Sequence, residues 1–134
     1  MKEKIIIDAT NAVLGRLMSY IAKQSLLGKE IVILNTEKAV IIGNEQNVIQ
    51  KYKQRTRRGS VSKGPFFPST PERIAKRAVR GMLEYKKARG REAFKKIKFY
   101  NSIPKEFEKS EKIKFEKKKS IKKFISLERL SKFI

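Results

Sequence analysis

Two short runs of consecutive apolar residues, separated by a segment with helical spacing, constrain the fold of this chain more than any other feature. The runs at Lys4–Asp8 and Glu30–Leu34 are continuous rather than alternating, which is typical of strands in a parallel sheet that is covered on both faces. Between them, apolar residues recur three and four positions apart. A strand, a helix and a strand in this order predict a right-handed βαβ unit.

The helix of this unit has recognisable boundary signals. Thr10 or Asn11 is suited to cap its N-terminus, and Gly28 is placed to end it in a left-handed conformation. After the second strand, the residues at Ala39–Ile42 predict a third strand. The link between the second and third strands is short, so both relative directions remain open for them.

Two more helices are predicted in the middle of the chain. Asn44 precedes a helix over Glu45–Arg57, and glycine and proline predict a loop over residues 59–70. Thr70 and Pro71 then mark a helix start, because a capping residue is followed by proline at the first helical position and by an acid in the first turn.

The helix that starts at Pro71 carries two interleaved patterns. Its predicted buried face consists of Ile74, Ala75, Ala78, Val79 and Met82. Its predicted opposite face consists of Arg73, Lys76, Arg77 and Arg80. We therefore expect one side to pack on the sheet and the other side to meet a negatively charged partner.

A cluster of basic residues surrounds Gly90. Glycine at this position predicts either a positive φ or a close approach of the backbone to a phosphate group, and a solvated turn is the alternative. A short helix then leads into a fourth predicted strand at Lys98–Tyr100. Residues 1–104 are predicted to form the core domain. Residues 105–134 are predicted to form a lysine-rich extension that ends in a short helix capped by Ser126.

The charge of the chain indicates its partner. Lys and Arg number 34 and Asp and Glu 13, which gives a net charge of +21, far more than solubility requires. Residues 46–134 hold 28 basic and 8 acidic residues, a net of +20, so the excess lies almost entirely outside the first third of the chain. This distribution favours nucleic acid as the partner. An acidic membrane surface is less favoured, because no long basic amphipathic helix is present.

Composition also argues against enzymatic chemistry. The chain has no histidine and no cysteine, and Asp8 is its only aspartate. The commonest general base and the thiolate metal ligands are therefore missing. We expect no enzyme, no cofactor, no metal site and no small-molecule substrate. The lack of cysteine and of a signal-like N-terminal segment favours a cytoplasmic location.

Four segments together resemble the universal large-subunit ribosomal protein L-thirteen family in its archaeal and eukaryotic form. They are IIIDATNAVLGRLMSYIAK, EIVILNTEKAVIIG, KGPFFPSTPERIAKRAVRGML and ARGREAFKKIKFYNSIP, and they cover nearly all of residues 5–104 in family order. The long insertion of bacterial members before the second strand is absent. Glu84 stands where the family usually has proline. The end of the chain, SLERLSKFI, is similar to the tail of archaeal members.

The resemblance implies a three-layer α/β/α fold with a small, mainly parallel four-stranded sheet. It implies a structural role in the large ribosomal subunit, with large-subunit rRNA and neighbouring ribosomal proteins as partners. A DNA-binding architectural protein is the alternative function, and a nucleotide-dependent enzyme on the same type of fold is less favoured. The predicted RNA-binding residues are Lys51, Lys53, Arg55, Arg57, Arg58, Lys63, Arg73, Lys76, Arg77, Arg80, Lys86, Lys87, Arg89, Gly90, Arg91, Lys95 and Lys96.

Overall fold

A computed structural model describes residues 4–58, 67–115, 117 and 120–134 of the chain. Its strands are β1 (Lys4–Asp8), β2 (Glu30–Leu34), β3 (Val40–Ile42), β4 (Ile97–Phe99), β5 (Ile113–Lys114) and β6 (Phe124–Ser126). Its helices are α1 (Leu14–Leu26), α2 (Glu45–Arg57), α3 (Pro71–Met82), α4 (Ala88–Lys95) and α5 (Leu127–Phe133). None of these helices has both the length and the apolar character that crossing a bilayer requires.

The main sheet has four strands in the order β4-β2-β1-β5, and every neighbouring pair is parallel. Ile7 of β1 pairs with Ile33 of β2, and Ile33 pairs in turn with Phe99 of β4. The predicted small, mainly parallel four-stranded sheet is therefore confirmed. The continuous apolar runs of β1 and β2 follow from their central positions, where both faces of each strand are covered.

The two faces of the sheet are covered by different parts of the chain. Ile7, Ile31 and Ile33 belong to the large core cluster that also contains buried apolar side chains of α1, α3, α4 and α5. Val32 and Leu34 point to the opposite face, where they pack with Phe107 from a 3-10 turn after β4. Alternate residues of one strand thus serve two separate cores, an arrangement consistent with the predicted three-layer α/β/α fold.

The third predicted strand exists but lies outside the main sheet. Residues Val40–Ile42 pair antiparallel with Phe124–Ser126 in a separate two-stranded sheet. Asn35 adopts a left-handed conformation with φ of 55°, and the 3-10 turn Thr36–Lys38 follows it. These turns take the chain out of the main sheet, and the fourth place in that sheet is filled by β5 instead.

The turn between β1 and α1 is held by Asp8 rather than by a helix cap. Oδ1 of Asp8 accepts hydrogen bonds from the backbone N and Oγ1 of Thr10 and from Nδ2 of Asn35. Partial burial raises the pKa of this carboxyl, but these hydrogen bonds together with the positive charge of Lys114 outweigh burial, and the pKa is lowered overall. The prediction of Thr10 or Asn11 as the N-cap is wrong, because Asp8 engages the threonine and α1 begins only after Val13.

Helix α3 confirms its predicted start and most of its predicted buried face. Thr70 is the N-cap and Pro71 the first helical residue, while Ile74, Ala75 and Val79 are all buried. Met82 is 45% exposed, so its assignment to the buried face is wrong. It is the last residue of the helix, and the residue after it, Leu83, takes the core position instead.

The last eleven residues form part of the core. Ile125 of β6 and Leu127 and Leu130 of α5 are 2%, 0% and 0% exposed. The backbone N of Leu127 donates to the carbonyl of Ala39, 2.9 Å away, which fixes α5 beside β3. The predicted Ser126 cap is confirmed, since its Oγ accepts from the backbone N of Arg129 at 3.2 Å. The extension after residue 104 thus completes the fold that the preceding residues begin.

Candidate nucleic-acid interface

A basic cleft of about 880 Å³ opens between α3, α4 and β4. Helix α3 packs on α1 through its apolar stripe, so its basic stripe is directed outward. Helix α4 and the strand that follows it supply the other wall. The cleft is lined by Glu72, Arg73, Lys76, Arg80, Tyr85, Arg91, Phe94, Lys95, Ile97, Lys98, Phe99 and Tyr100. We call this site the α3–α4 cleft.

Positive charge dominates the α3–α4 cleft, with six cations against one carboxylate. Partial burial raises the pKa of that carboxyl, Glu72, but hydrogen bonds, including one from Asn101, and the charge of Arg73 lower it overall. The acid is therefore ionised at neutral pH and already engaged within the protein. The remaining net charge is strongly positive, which suits a polyanionic ligand.

A second basic region lies at the C-terminal end of α2. A recess of about 520 Å³ is lined there by Gln50, Lys51, Lys53, Gln54, Arg57 and Arg58. We call it the α2 recess. None of the described residues that line it is acidic. Its four cations exceed what the dipole of a single helix terminus needs, so the α2 recess is also suited to phosphate groups.

Arg55, by contrast, belongs to an aromatic cluster. Its guanidinium carbon lies 5.1 Å from the ring centroid of Tyr52 and 5.8 Å from that of Phe67. The two rings meet edge to face with centroids 5.7 Å apart. Burial raises the pKa of the Tyr52 hydroxyl and outweighs the opposing charge of Arg55. Arg55 therefore anchors the chain at Phe67 to α2. Because its guanidinium group makes these contacts, less of it is free to bind RNA.

The other predicted RNA-binding residues lie outside the two basic sites. Arg77, Lys86 and Arg89 are exposed but line neither of them. Lys87 is exposed and forms a weak surface ion pair with Glu84, with Nζ and Oε2 3.5 Å apart. The remaining two cations are Lys96, which lines a smaller cleft of mixed charge, and Lys63, which is outside the described residues.

Gly90 has a different role from the one its basic surroundings indicate. It is buried within α4, and a Cβ atom placed on it would lie 2.9 Å from the backbone N of Tyr85 and closer still to the carbonyl group of Glu84. The predicted close backbone approach exists, but the partner is the preceding turn of the same chain. The burial of Gly90 leaves little of its backbone accessible to a phosphate group, and its φ is not positive.

Sequence reasoning missed one cation and several aromatic residues of the α3–α4 cleft. Lys98 is exposed, while the neighbouring Ile97 is 3% exposed, as the alternation of side chains along a strand dictates. The same alternation in the sequence predicts that the side chain of Lys98 is exposed. Tyr85 and Tyr100 carry no comparable signal, because their proximity to the basic side chains arises only from the tertiary fold.

The cleft contains no recognisable arrangement for metal binding. Within the ranges 4–58, 67–115, 117 and 120–134, no three His, Cys, Asp or Glu side chains come together in a way that could hold a metal ion. The groups that do come together are lysine, arginine and aromatic side chains. Such groups neutralise phosphates and stack on bases.

Comparison with known proteins identifies the family of this chain. A family model described as Ribosomal protein L13 matches residues 2–106. A protein of Archaeoglobus fulgidus named large ribosomal subunit protein uL13 is 45% identical, covering 96% of this chain and 86% of its own. Proteins of the same name from Thermoplasma volcanium and Methanosarcina barkeri are 48% and 49% identical, covering 95% and 81% of this chain and 95% and 78% of their own. The chain therefore belongs to the ribosomal protein L13 family.

Proposed function

We propose that this chain is a structural component of the large ribosomal subunit in the cytoplasm, where it binds large-subunit rRNA and supports assembly of the subunit. The observation that carries the proposal is the family match over residues 2–106, together with relatives that bear the name of a large-subunit protein. The α3–α4 cleft and the α2 recess supply the chemistry for RNA binding. No catalytic step is part of this function.

Binding would depend mainly on the phosphate backbone. Lysine and arginine neutralise phosphates and release condensed counterions, which drives association. The cations lie on separate elements, with Arg73 and Lys76 on α3, Arg91 and Lys95 on α4 and Lys98 on β4. A surface with cations fixed on three packed elements discriminates between RNA shapes better than a flexible basic tail does.

The relatives are named as proteins of the large ribosomal subunit. We propose contacts with neighbouring ribosomal proteins as part of the same function. Exposed apolar side chains away from the α3–α4 cleft, such as Ile42, Phe124 and Phe133, offer surface for them. Each contact would add to the rRNA contacts during assembly rather than replace them.

A competition experiment separates this function from DNA compaction. Labelled large-subunit rRNA bound to the full chain is displaced by unlabelled large-subunit rRNA, small-subunit rRNA or duplex DNA, matched for phosphate content. We expect large-subunit rRNA to displace the label at the lowest concentration, because recognition depends on folded RNA shape. Equal displacement by duplex DNA would contradict the proposal and favour the architectural alternative.

A further inference from the structure

The lining of the α3–α4 cleft includes an aromatic ring, Tyr85, that neither phosphate binding nor core packing explains. Tyr85, Phe94, Phe99 and Tyr100 line the same space as the six cations, but Phe94, Phe99 and Tyr100 also pack against the hydrophobic cores. Phosphate groups on a helical RNA are met by lysine and arginine on an open surface, and apolar rings contribute nothing to counterion release. A ligand that fills this cleft therefore presents both negative charge and a flat apolar face.

Two cation–π contacts link the charges of the cleft to its rings. The guanidinium carbon of Arg80 lies 4.7 Å from the ring centroid of Tyr85, and Nζ of Lys76 lies 5.6 Å from that of Phe94. Both rings are half-buried, so each is anchored and still offers exposed surface. Aromatic rings and guanidinium groups are the two kinds of protein surface on which nucleic-acid bases stack.

We propose that the α3–α4 cleft binds a single unpaired nucleotide of the RNA, with its base stacked on the outside of the Tyr85–Arg80 pair and its phosphates held by Arg73 and Arg91. This inference rests on the rRNA binding proposed above and adds the kind of RNA feature that the cleft recognises. A paired base is covered on both faces by its neighbours in the stack. Only a nucleotide from a loop, a bulge or a strand end presents a free face.

The single acid of the cleft fits a base better than a second phosphate. Glu72 accepts a hydrogen bond from Nδ2 of Asn101 at 2.7 Å and, like an ordinary glutamate, is ionised at neutral pH. A carboxylate repels phosphate, but its free lone pairs accept hydrogen bonds from the exocyclic amino group of a base. A cleft with one carboxylate among six cations is therefore complementary to a nucleotide that carries both a phosphate group and an amino group on its base.

The test uses a short single-stranded RNA that contains one 2-aminopurine, and a matched RNA duplex. Tyr85→Leu removes the ring, and we expect it to weaken binding of the single strand by about 5- to 150-fold, the range for loss of one base–aromatic stack. Binding of the duplex should stay unchanged. Tyr85→Phe keeps the ring and should retain the affinity of the unmodified chain. The 2-aminopurine fluorescence should fall on binding to both ring-containing chains.

A control variant exists in α5. The guanidinium carbon of Arg129 lies 5.6 Å from the ring centroid of Phe133, so this ring also makes a cation–π contact. It is outside the α3–α4 cleft. Phe133→Leu should therefore bind both RNAs as the unmodified chain does. The salt dependence should also be the same for Tyr85→Leu as for the unmodified chain, because a stacked base releases no counterions.

Two outcomes would overturn the inference. If Tyr85→Leu binds the single strand as tightly as the unmodified chain, there is no stacking site at this ring. If Tyr85→Leu weakens binding of the single strand and of the duplex equally, the ring serves only to position the cations. Either result leaves the proposed function standing as long as the unmodified chain prefers large-subunit rRNA in the competition experiment. Loss of that preference would instead refute the function itself.

Discussion

Raising the salt concentration from about 50 to 200 mM should weaken binding of this chain to large-subunit rRNA by roughly three to five orders of magnitude. The α3–α4 cleft supplies six cations and the α2 recess four more, so about six to ten phosphate contacts are available. Each contact releases condensed counterions, and the logarithm of the affinity should fall with the logarithm of salt at a slope of about −5 to −9.

Filter binding at several salt concentrations measures this slope directly. Arg91→Gln removes one cation from the α3–α4 cleft and should make the slope shallower by about one unit. Lys23→Gln removes an exposed cation on α1, which lines neither basic site, and should leave the slope as it is. A nearly flat salt dependence of the unmodified chain would show that backbone neutralisation is not the source of its affinity.

Truncation of Leu130 to alanine should lower the free energy of unfolding by roughly 2 to 5 kcal/mol, the usual cost for a fully buried leucine. Its side chain is 0% exposed and belongs to the same core cluster as α1 and α3. Deletion of residues 124–134 should be more severe, because it also removes the strand that pairs with β3. Urea unfolding followed by circular dichroism measures both effects.

Lys132→Ala is the matched control for this prediction. Lys132 lies in the same helix and is exposed, so its replacement should change the free energy of unfolding by no more than about 0.5 kcal/mol. If Leu130→Ala were as stable as Lys132→Ala, α5 would not be part of the core. In that case, only the elements before residue 124 would hold the α3–α4 cleft and the α2 recess in place.

The elements that sequence reasoning predicted correctly are those specified by local patterns. Strands β1 and β2 follow from uninterrupted apolar runs, and α3 follows from its cap, its proline and its spacing. The pairing of β3 with β6 was not predictable in this way, because the two strands are far apart in the chain. Strand β5 has only two residues, Ile113 and Lys114, too few for any periodic pattern to appear.

The candidate site was predicted in the same partial way. Spacing and clustering in the sequence predict five of the six cations of the α3–α4 cleft as RNA-binding residues, whereas they place Lys98 only in a strand. The basic neighbours of Gly90 indicate a phosphate contact, but its environment is set by the backbone of Glu84, which approaches it through a tight turn before α4. Sequence patterns report which residues share a face. They do not report which faces meet.

Sucrose-gradient fractionation of a native lysate tests most directly whether this chain is a large-subunit protein that binds through the α3–α4 cleft. Two triple variants that change the net charge equally are compared with the unmodified chain. The cleft variant carries Arg73→Glu, Lys76→Glu and Arg91→Glu. The control variant carries Lys23→Glu, Lys38→Glu and Lys132→Glu, at exposed positions outside both basic sites.

We expect the unmodified chain and the control variant to travel with the large subunits, and the cleft variant to remain at the top of the gradient. The melting temperatures of all three should be similar, because the replaced side chains are exposed. The account would be contradicted if the unmodified chain failed to travel with large subunits. It would also be contradicted if the cleft variant entered them as fully as the control variant.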